Sequence, residues 1–179
     1  MKDPFLIGNK VYLRGIEESD LNNDRYFQWL NDHDNDLYTS HAMWPNTKEK
    51  MRVFYKRVSG HKNDVVFCIH EKSTDRHIGN IGLHEINWIH RRAELAILIG
   101  EKDAQLKGYG TEAINLLAAH AFNKLNLHRI GLGVNAHNEA AIRAYKKAGF
   151  VEEGIFRDHF LRNGLFTDVV RLAVIKKQK

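Results

Sequence analysis

The residues Gln105-Leu106-Lys107-Gly108-Tyr109-Gly110-Thr111 form a Q-x-x-G-x-G turn that runs straight into an amphipathic segment. Two glycines permit close approach of a ligand to the backbone and reach positive φ at low steric cost. Free N–H groups at a helix start, backed by the helix dipole, favour an anion, and Lys107 adds a cation. The chemistry this arrangement suits is the binding of a pyrophosphate. Taken alone, the same residues also suit an ordinary strand–turn–helix connection. Other reactive side chains are less organised. The single cysteine, Cys68, lies in the apolar run Val65-Val66-Phe67-Cys68-Ile69 and reads as a buried strand residue rather than a nucleophile. One cysteine allows no internal disulfide and fits a reducing compartment. Eleven histidines are present. Of these, His77, His84 and His90 fall on or beside strands without metal-site spacing, so no metal is expected.

The elements that must position this turn follow from periodicity. At 179 residues the chain is expected to form one domain over 1–179. Val11–Arg14, Val65–His70, His77–Asn87, Arg91–Ile99 and Arg129–Val134 read as strands. In the fourth, Ala93, Leu95, Ile97 and Ile99 alternate with Glu94, Ala96 and Leu98. Gly79 and Gly82 weaken the third or allow a bulge. A helix capped by Ser19 or Asp20 is predicted to run to Leu30, and another from Thr47 to Val58. The clearest helix is Thr111–Leu125, with Ile114, Leu117, Ala118, Ala121, Phe122 and Leu125 on one stripe. Asn138 is placed to cap a last helix that ends at Gly149 in the left-handed position. Val151–Leu161 and Leu165–Ile175 form a hairpin, since Asn163-Gly164 favours a type I′ turn. Helices alternating with hairpin-like strands predict a mixed α/β fold with helices on both faces of one sheet.

Composition excludes several classes of partner. The formal charge is +5, which suits an anionic ligand. The basic residues are scattered, without a long stripe interleaved with aromatics, so nucleic-acid binding is not expected. No apolar run approaches the ~18 residues of a membrane span. Met1-Lys2-Asp3-Pro4 carries no signal-peptide core, and the expected location is cytoplasmic.

Four spaced features together resemble the GCN5-related N-acetyltransferase (GNAT) superfamily. They are the Gln105–Gly110 turn after a strand, Asn135 and Asn138 in Val134-Asn135-Ala136-His137-Asn138-Glu139-Ala140-Ala141, the run Ala144-Tyr145-Lys146-Lys147-Ala148-Gly149-Phe150, and the closing hairpin with Asp168. The chain is most similar to the branch holding ribosomal-protein N-terminal, spermidine and amino-sugar acetyltransferases. Glu85-Ile86-Asn87 followed by His90-Arg91-Arg92-Ala93-Glu94 is similar to bacterial spermidine acetyltransferases. The segment His41–Thr47 does not show that family's acidic polyamine site.

The resemblance implies the GNAT fold: a central, mostly antiparallel sheet of about seven strands, a splayed parallel pair and flanking helices. It implies acetyl-CoA as co-substrate, with its pyrophosphate on Gln105, Lys107, Gly108, Tyr109, Gly110 and Thr111. Its pantetheine arm would lie along Ile97, Leu98 and Ile99 in a gap beside Arg129–Val134. Asn135, Asn138 and Ala141 would line that arm, with Asn138 serving equally as a helix cap. Tyr145 would donate a proton to the departing thiolate; its other reading is a core tyrosine beside Ala141 and Ala148. Glu85 or Glu94 would take the proton from the amine, with His84 as a substitute. The other reading makes one of the two glutamates a surface ion-pair partner of Arg91 or Arg92. The acceptor is a small primary amine, a polyamine or an amino sugar, with a protein α-amino group and a non-catalytic acyl-CoA sensor as the other readings. The junction at residues 32–46 would wall the acceptor pocket, using Trp29, Tyr38 and Trp44 for stacking and Asp32, Asp34 and Asp36 for charge. A homo-oligomer is left open.

Overall fold

A computed structural model describes residues 1–32, 38, 43–60 and 62–177. Along the chain run β1 (Leu6–Ile7), β2 (Val11–Gly15), α1 (Asp24–Asn31), α2 (Lys48–Gly60), β3 (Val65–Glu71), β4 (His77–Asn87) and β5 (Arg92–Ile99). Then follow α3 (Tyr109–Asn123), β6 (Arg129–Asn135), α4 (Glu139–Lys147), β7 (Val151–Arg162) and β8 (Leu165–Ile175). Among the described residues the strands form one 8-stranded sheet in the order β1-β2-β3-β4-β5-β6-β8-β7. Every neighbouring pair is antiparallel except β5 and β6. The eighth strand, beyond the seven or so expected, is the two-residue β1, too short to show a period.

The alternation in β5 sorts the two faces. Ala93, Leu95, Ile97 and Ile99 join the main core with Ala113, Ile114, Leu117, Ala118 and Ala121 of α3 and with Ile142 and Tyr145 of α4. Leu98, pointing the other way, joins a second cluster built on Leu21, Tyr26, Trp29 and Met51 from the α1–α2 side. Helices therefore cover both faces, as the mixed pattern predicted.

Two local expectations are corrected. Residues Glu18–Asn22 form a 3-10 turn, and α1 starts only after Asn23, whose side chain accepts the Arg25 N–H. Asp20 caps no α-helix because its carboxylate is buried against the Arg14 guanidinium. The pairing of β4 shifts register twice: against β3 beside Gly79, where Ile69 faces Gly79 but His70 faces His77, and against β5 between His84 and Asn87, where Glu85 has φ 52°. Gly79 and Gly82 also serve close approach between strands. An added Cβ would come within 2.2 Å of the Leu98 carbonyl oxygen and 2.8 Å of the Val65 carbonyl oxygen. The closing hairpin turns as its sequence dictates, with both Asn163 (φ 50°) and Gly164 (φ 78°) left-handed.

Candidate active site

The parallel pair sets the geometry. β5 and β6 are joined at three positions, Arg92 with Arg129, Ala93 with Ile130 and Glu94 with Gly131. Both strands continue beyond that point, to Ile99 and Asn135, without pairing to each other. The sheet opens there into a gap. On its far side β5 stays paired to β4 through Gly79 with Ile99, so residues 95–99 present one free backbone edge to the gap.

The turn after β5 stands at the open end. Gln105 does not reach outward. Its Nε2 donates to the Ile99 carbonyl at 3.0 Å and ties the turn to the strand. Gly108 takes φ 86° and ψ 0° as N-cap of α3, the conformation that glycine permits. Gly110 does not share it; the second left-handed residue is Leu106, at φ 60°. The first intrahelical bond is Glu112 N–H to the Gly108 carbonyl at 3.1 Å. The N–H groups of Tyr109, Gly110 and Thr111 precede it and have no intrahelical acceptor.

A cationic groove of about 650 Å³ flanks this turn, lined by Asn9, Lys10, Lys72, Ser73, Lys107 and Tyr109. None of its three lysines forms an ion pair among the described residues. Lys10 Nζ donates to the Lys107 carbonyl at 3.2 Å, and Lys72 Nζ to the Gly8 carbonyl at 2.9 Å. The Tyr109 hydroxyl donates to Glu71. Hydrogen bonds from Thr74 and Tyr109 hold the Glu71 carboxyl below the usual range. Free N–H donors that follow a left-handed glycine, beside ammonium groups without an ion pair among the described residues, fit a diphosphate.

On the other wall of the gap, Asn138 caps α4, its Oδ1 accepting the Ala141 N–H at 3.1 Å. Asn135 is buried and committed to the protein: Nδ2 donates to Thr167 Oγ1 at 2.8 Å and Oδ1 accepts the His137 N–H. Tyr145 packs partly buried on the α4 face beside Phe150, with ring centroids 5.9 Å apart. Burial pushes its phenol up to about 12, so it is protonated at neutral pH. Its hydroxyl has no hydrogen-bond partner among the described residues.

The carboxylates divide. Glu94, at the last paired position, is engaged by Arg171, whose Nη2 lies 2.9 and 2.7 Å from its two oxygens. The pair lies across Gly131, where a Cβ would meet Glu94 Oε1 at 2.9 Å. Its partner is therefore neither Arg91, which bonds Asn126, nor Arg92. Glu85 is exposed on the β4 bulge. Directly across from Glu94 on β4 is His84, and its Nδ1 lies 2.7 Å from Asp64 Oδ1. No sequence signal marked Asp64, which precedes β3 and lies twenty positions from its partner.

The N-terminal residues diverge from expectation. Trp29 is buried, not a stacking surface. Its Nε1 donates to Glu101 at 3.0 Å, and its ring fills the space over Gly100, where a Cβ would meet it at 2.0 Å. Trp44 is 73% exposed and Tyr38 borders on exposed. Asp32 pairs with Lys102 at 3.2 Å; Asp34 and Asp36 lie outside the described residues. Away from the gap, Asp20, Cys68 and His77 bring potential ligand atoms within 4.8 Å of one another, a grouping their sequence spacing concealed. Arg14 and the Glu17 N–H already occupy the Asp20 oxygens, and burial pushes the Cys68 thiol up, which disfavours the thiolate that binds metal. Among the described residues no helix is long and apolar enough to cross a membrane.

Comparison with known proteins places this geometry. Residues 10–151 match a domain family described as acetyltransferase (GNAT) domain. The chain is 32% identical over 173 residues to the spermidine N(1)-acetyltransferase of Vibrio cholerae serotype O1, covering 96% of each. It superposes with a TM-score of 0.85 on the crystal structure of a spermidine N-acetyltransferase from Vibrio cholerae in complex with CoA and spermine. The identity there is 30%, with 94% of this chain and 96% of that one covered. A dodecameric structure of spermidine N-acetyltransferase from the same organism matches with a TM-score of 0.78 and 31% identity, over 94% and 95% of the two chains.

Proposed function

The chain belongs to the GNAT acetyltransferase family, and from that premise we propose that it carries acetyl from acetyl-CoA to a primary amine of a polyamine, by direct attack while both substrates are bound. The observation that carries the reading is the parting of β5 from β6 after Glu94 and Gly131, with the Gly108 turn at one end and Tyr145 on the wall. The free edge of residues 95–99 suits the amides of a pantetheine arm. The N–H groups of Tyr109, Gly110 and Thr111, with Lys107, suit its diphosphate.

The acceptor amine must lose a proton, because a free alkylamine titrates near 10.4 and is cationic at neutral pH. The neutral nitrogen then attacks the thioester carbon and the carbon–sulfur bond breaks. The Tyr145 phenol, neutral and without a protein partner, gives its proton to the departing sulfur. Whole-length likeness to spermidine acetyltransferases favours a polyamine over an amino sugar or a peptide. It also supports assembly of several copies.

The test is thiol release from acetyl-CoA with spermidine, spermine, an amino-sugar nucleotide and N-terminal peptides as acceptors. Spermidine or spermine is expected to give the highest kcat/KM. A peptide or amino sugar preferred by a hundredfold would overturn the polyamine reading, and acetyl-CoA binding with no turnover on any amine would leave a sensor.

A further inference from the structure

Of the three groups near the opening that can accept a proton, two are poorly placed to do so. Glu94 has both oxygens engaged by Arg171, which turns its carboxylate to that guanidinium. Glu85 is exposed at the bulge, without a partner among the described residues to orient it. His84 differs on both counts. Its Nδ1 is fixed by Asp64 at 2.7 Å, and Asp64 is itself held by Arg57 at 3.3 Å. The side chain of Asp64 is only 10% exposed and that of His84 23%.

The orientation that results is specific. With Nδ1 committed to Asp64, the other nitrogen is directed over Gly82, since a Cβ there would lie 3.0 Å from Nε2. Gly82 is the cross-strand neighbour of Ala96, in the part of β5 that has already left β6. Nε2 therefore sits beside the opened stretch on the Glu94 face, and among the described residues it has no hydrogen-bond partner. A carboxylate on Nδ1 holds the proton on that nitrogen and leaves the Nε2 lone pair available.

We infer that His84 is the base of the acetyl transfer proposed above, with Asp64 as its positioning residue. The Nε2 lone pair takes one proton from the acceptor ammonium, and the N–H bonding pair becomes the amine lone pair. That pair forms the bond to the acetyl carbon. The carbon–sulfur pair leaves with sulfur, which takes the Tyr145 proton. A second proton leaves the nitrogen as the amide forms and restores Tyr145 through solvent; the His84 proton is released to bulk. The charged groups facing the ring are Asp64 from the loop before β3, Arg57 from α2, Glu94 across on β5, and Arg171 from β8 behind Glu94.

The experiment measures kcat/KM for spermidine across pH in the parent and in His84→Gln, Asp64→Asn, Asp64→Glu and Glu85→Gln, with calorimetric acetyl-CoA affinity in each. H84Q is expected to lose about 10²–10⁴-fold in kcat/KM and to retain acetyl-CoA affinity. Asp64→Asn takes away the carboxylate that fixes Nδ1, so D64N should be slower by about tenfold or more. D64E should restore part of that loss, and E85Q should lose far less than H84Q. An H84Q protein as fast as the parent at every pH overturns the assignment, as does a larger loss in E85Q than in H84Q, or a D64N protein as fast as the parent. A parent that transfers acetyl to no amine while binding acetyl-CoA refutes the underlying reading instead, and the base assignment with it.

Discussion

Gly108 offers the sharpest test of how the turn holds its ligand. At φ 86° and ψ 0° it is left-handed, and an added Cβ would meet only Lys10 Nζ, at 3.8 Å. Gly108→Ala therefore adds no clash, and its cost is conformational, about 1–2 kcal/mol for a residue with a Cβ in this region. Without ligand the exposed turn can relax and shed part of that strain. Binding needs the three N–H groups back in register, so the part shed reappears as lost affinity, up to a factor of about 5–30 in Kd if all of it is shed. The portion that stays in the free protein lowers Tm by roughly 2–4 °C per kcal/mol for a chain of this size. Calorimetry with acetyl-CoA and a thermal melt read the two portions separately. Gly108→Asn should fall between, because asparagine tolerates the left-handed region. Gly110→Ala is the control for folding: its Cβ would meet Ile99 and Ile97 side-chain atoms at 3.6 and 3.7 Å, ordinary contact at an ordinary φ. A G108A protein with the parent's Tm and acetyl-CoA affinity would refute the reasoning.

Tyr145→Phe should lower turnover by about 10²–10⁴-fold with acetyl-CoA affinity nearly unchanged, measured by steady-state kinetics beside calorimetry. In a thiol-release assay Cys68 should stay silent, since it is buried and its thiol is pushed up by burial; it should react with a disulfide reagent only as the protein unfolds. Lys10→Gln with Lys72→Gln should weaken acetyl-CoA binding and flatten its dependence on salt, read from Kd at two ionic strengths. Burial holds His70 and His77 below the ordinary histidine value of 6.5. The unfolded chain then takes up more protons as pH falls through 6.5, so their contribution to stability is present at neutral pH and lost in acid. His77→Gln should reduce that acid sensitivity in denaturant titrations at pH 7.5 and 5.5.

The strands of this fold were legible because one buried face imposes a period of two, and α3 because its stripe imposes one near four residues. The Asn163-Gly164 hairpin and the Gly149 terminus were legible because few residues adopt a left-handed backbone. What the sequence concealed depends on partners far along the chain. Asp20 reads as a cap until Arg14 claims it. Glu94 reads as a base until Arg171, 77 positions away, pairs with it. Trp29 reads as an acceptor surface until Gly100 gives it a seat. The glycines of β4 read as a weak point or a bulge; a register shift does lie beside Gly79, but their close approach to Leu98 and Val65 was not legible. Within the site, the turn could be read from its glycines, and Tyr145 only from the family resemblance. Asp64 could not, because a carboxylate in a polar loop carries no mark of the imidazole it will meet.

The seam between β5 and β6 also bears on how long the protein lasts. Backbone hydrogen bonding joins the two halves of the sheet across only three residue pairs, so the remainder of that boundary draws its cohesion from whatever fills it. A donor lodged there binds the native chain and not the unfolded one. It adds about 2.7 kcal/mol of stability when its free concentration is a hundred times Kd. Against a typical stability of about 5–15 kcal/mol, that is a large share. Resistance of this acetyltransferase to unfolding and proteolysis is thus expected to rise with the concentration of acetyl-CoA, as melts and limited proteolysis with and without it would read.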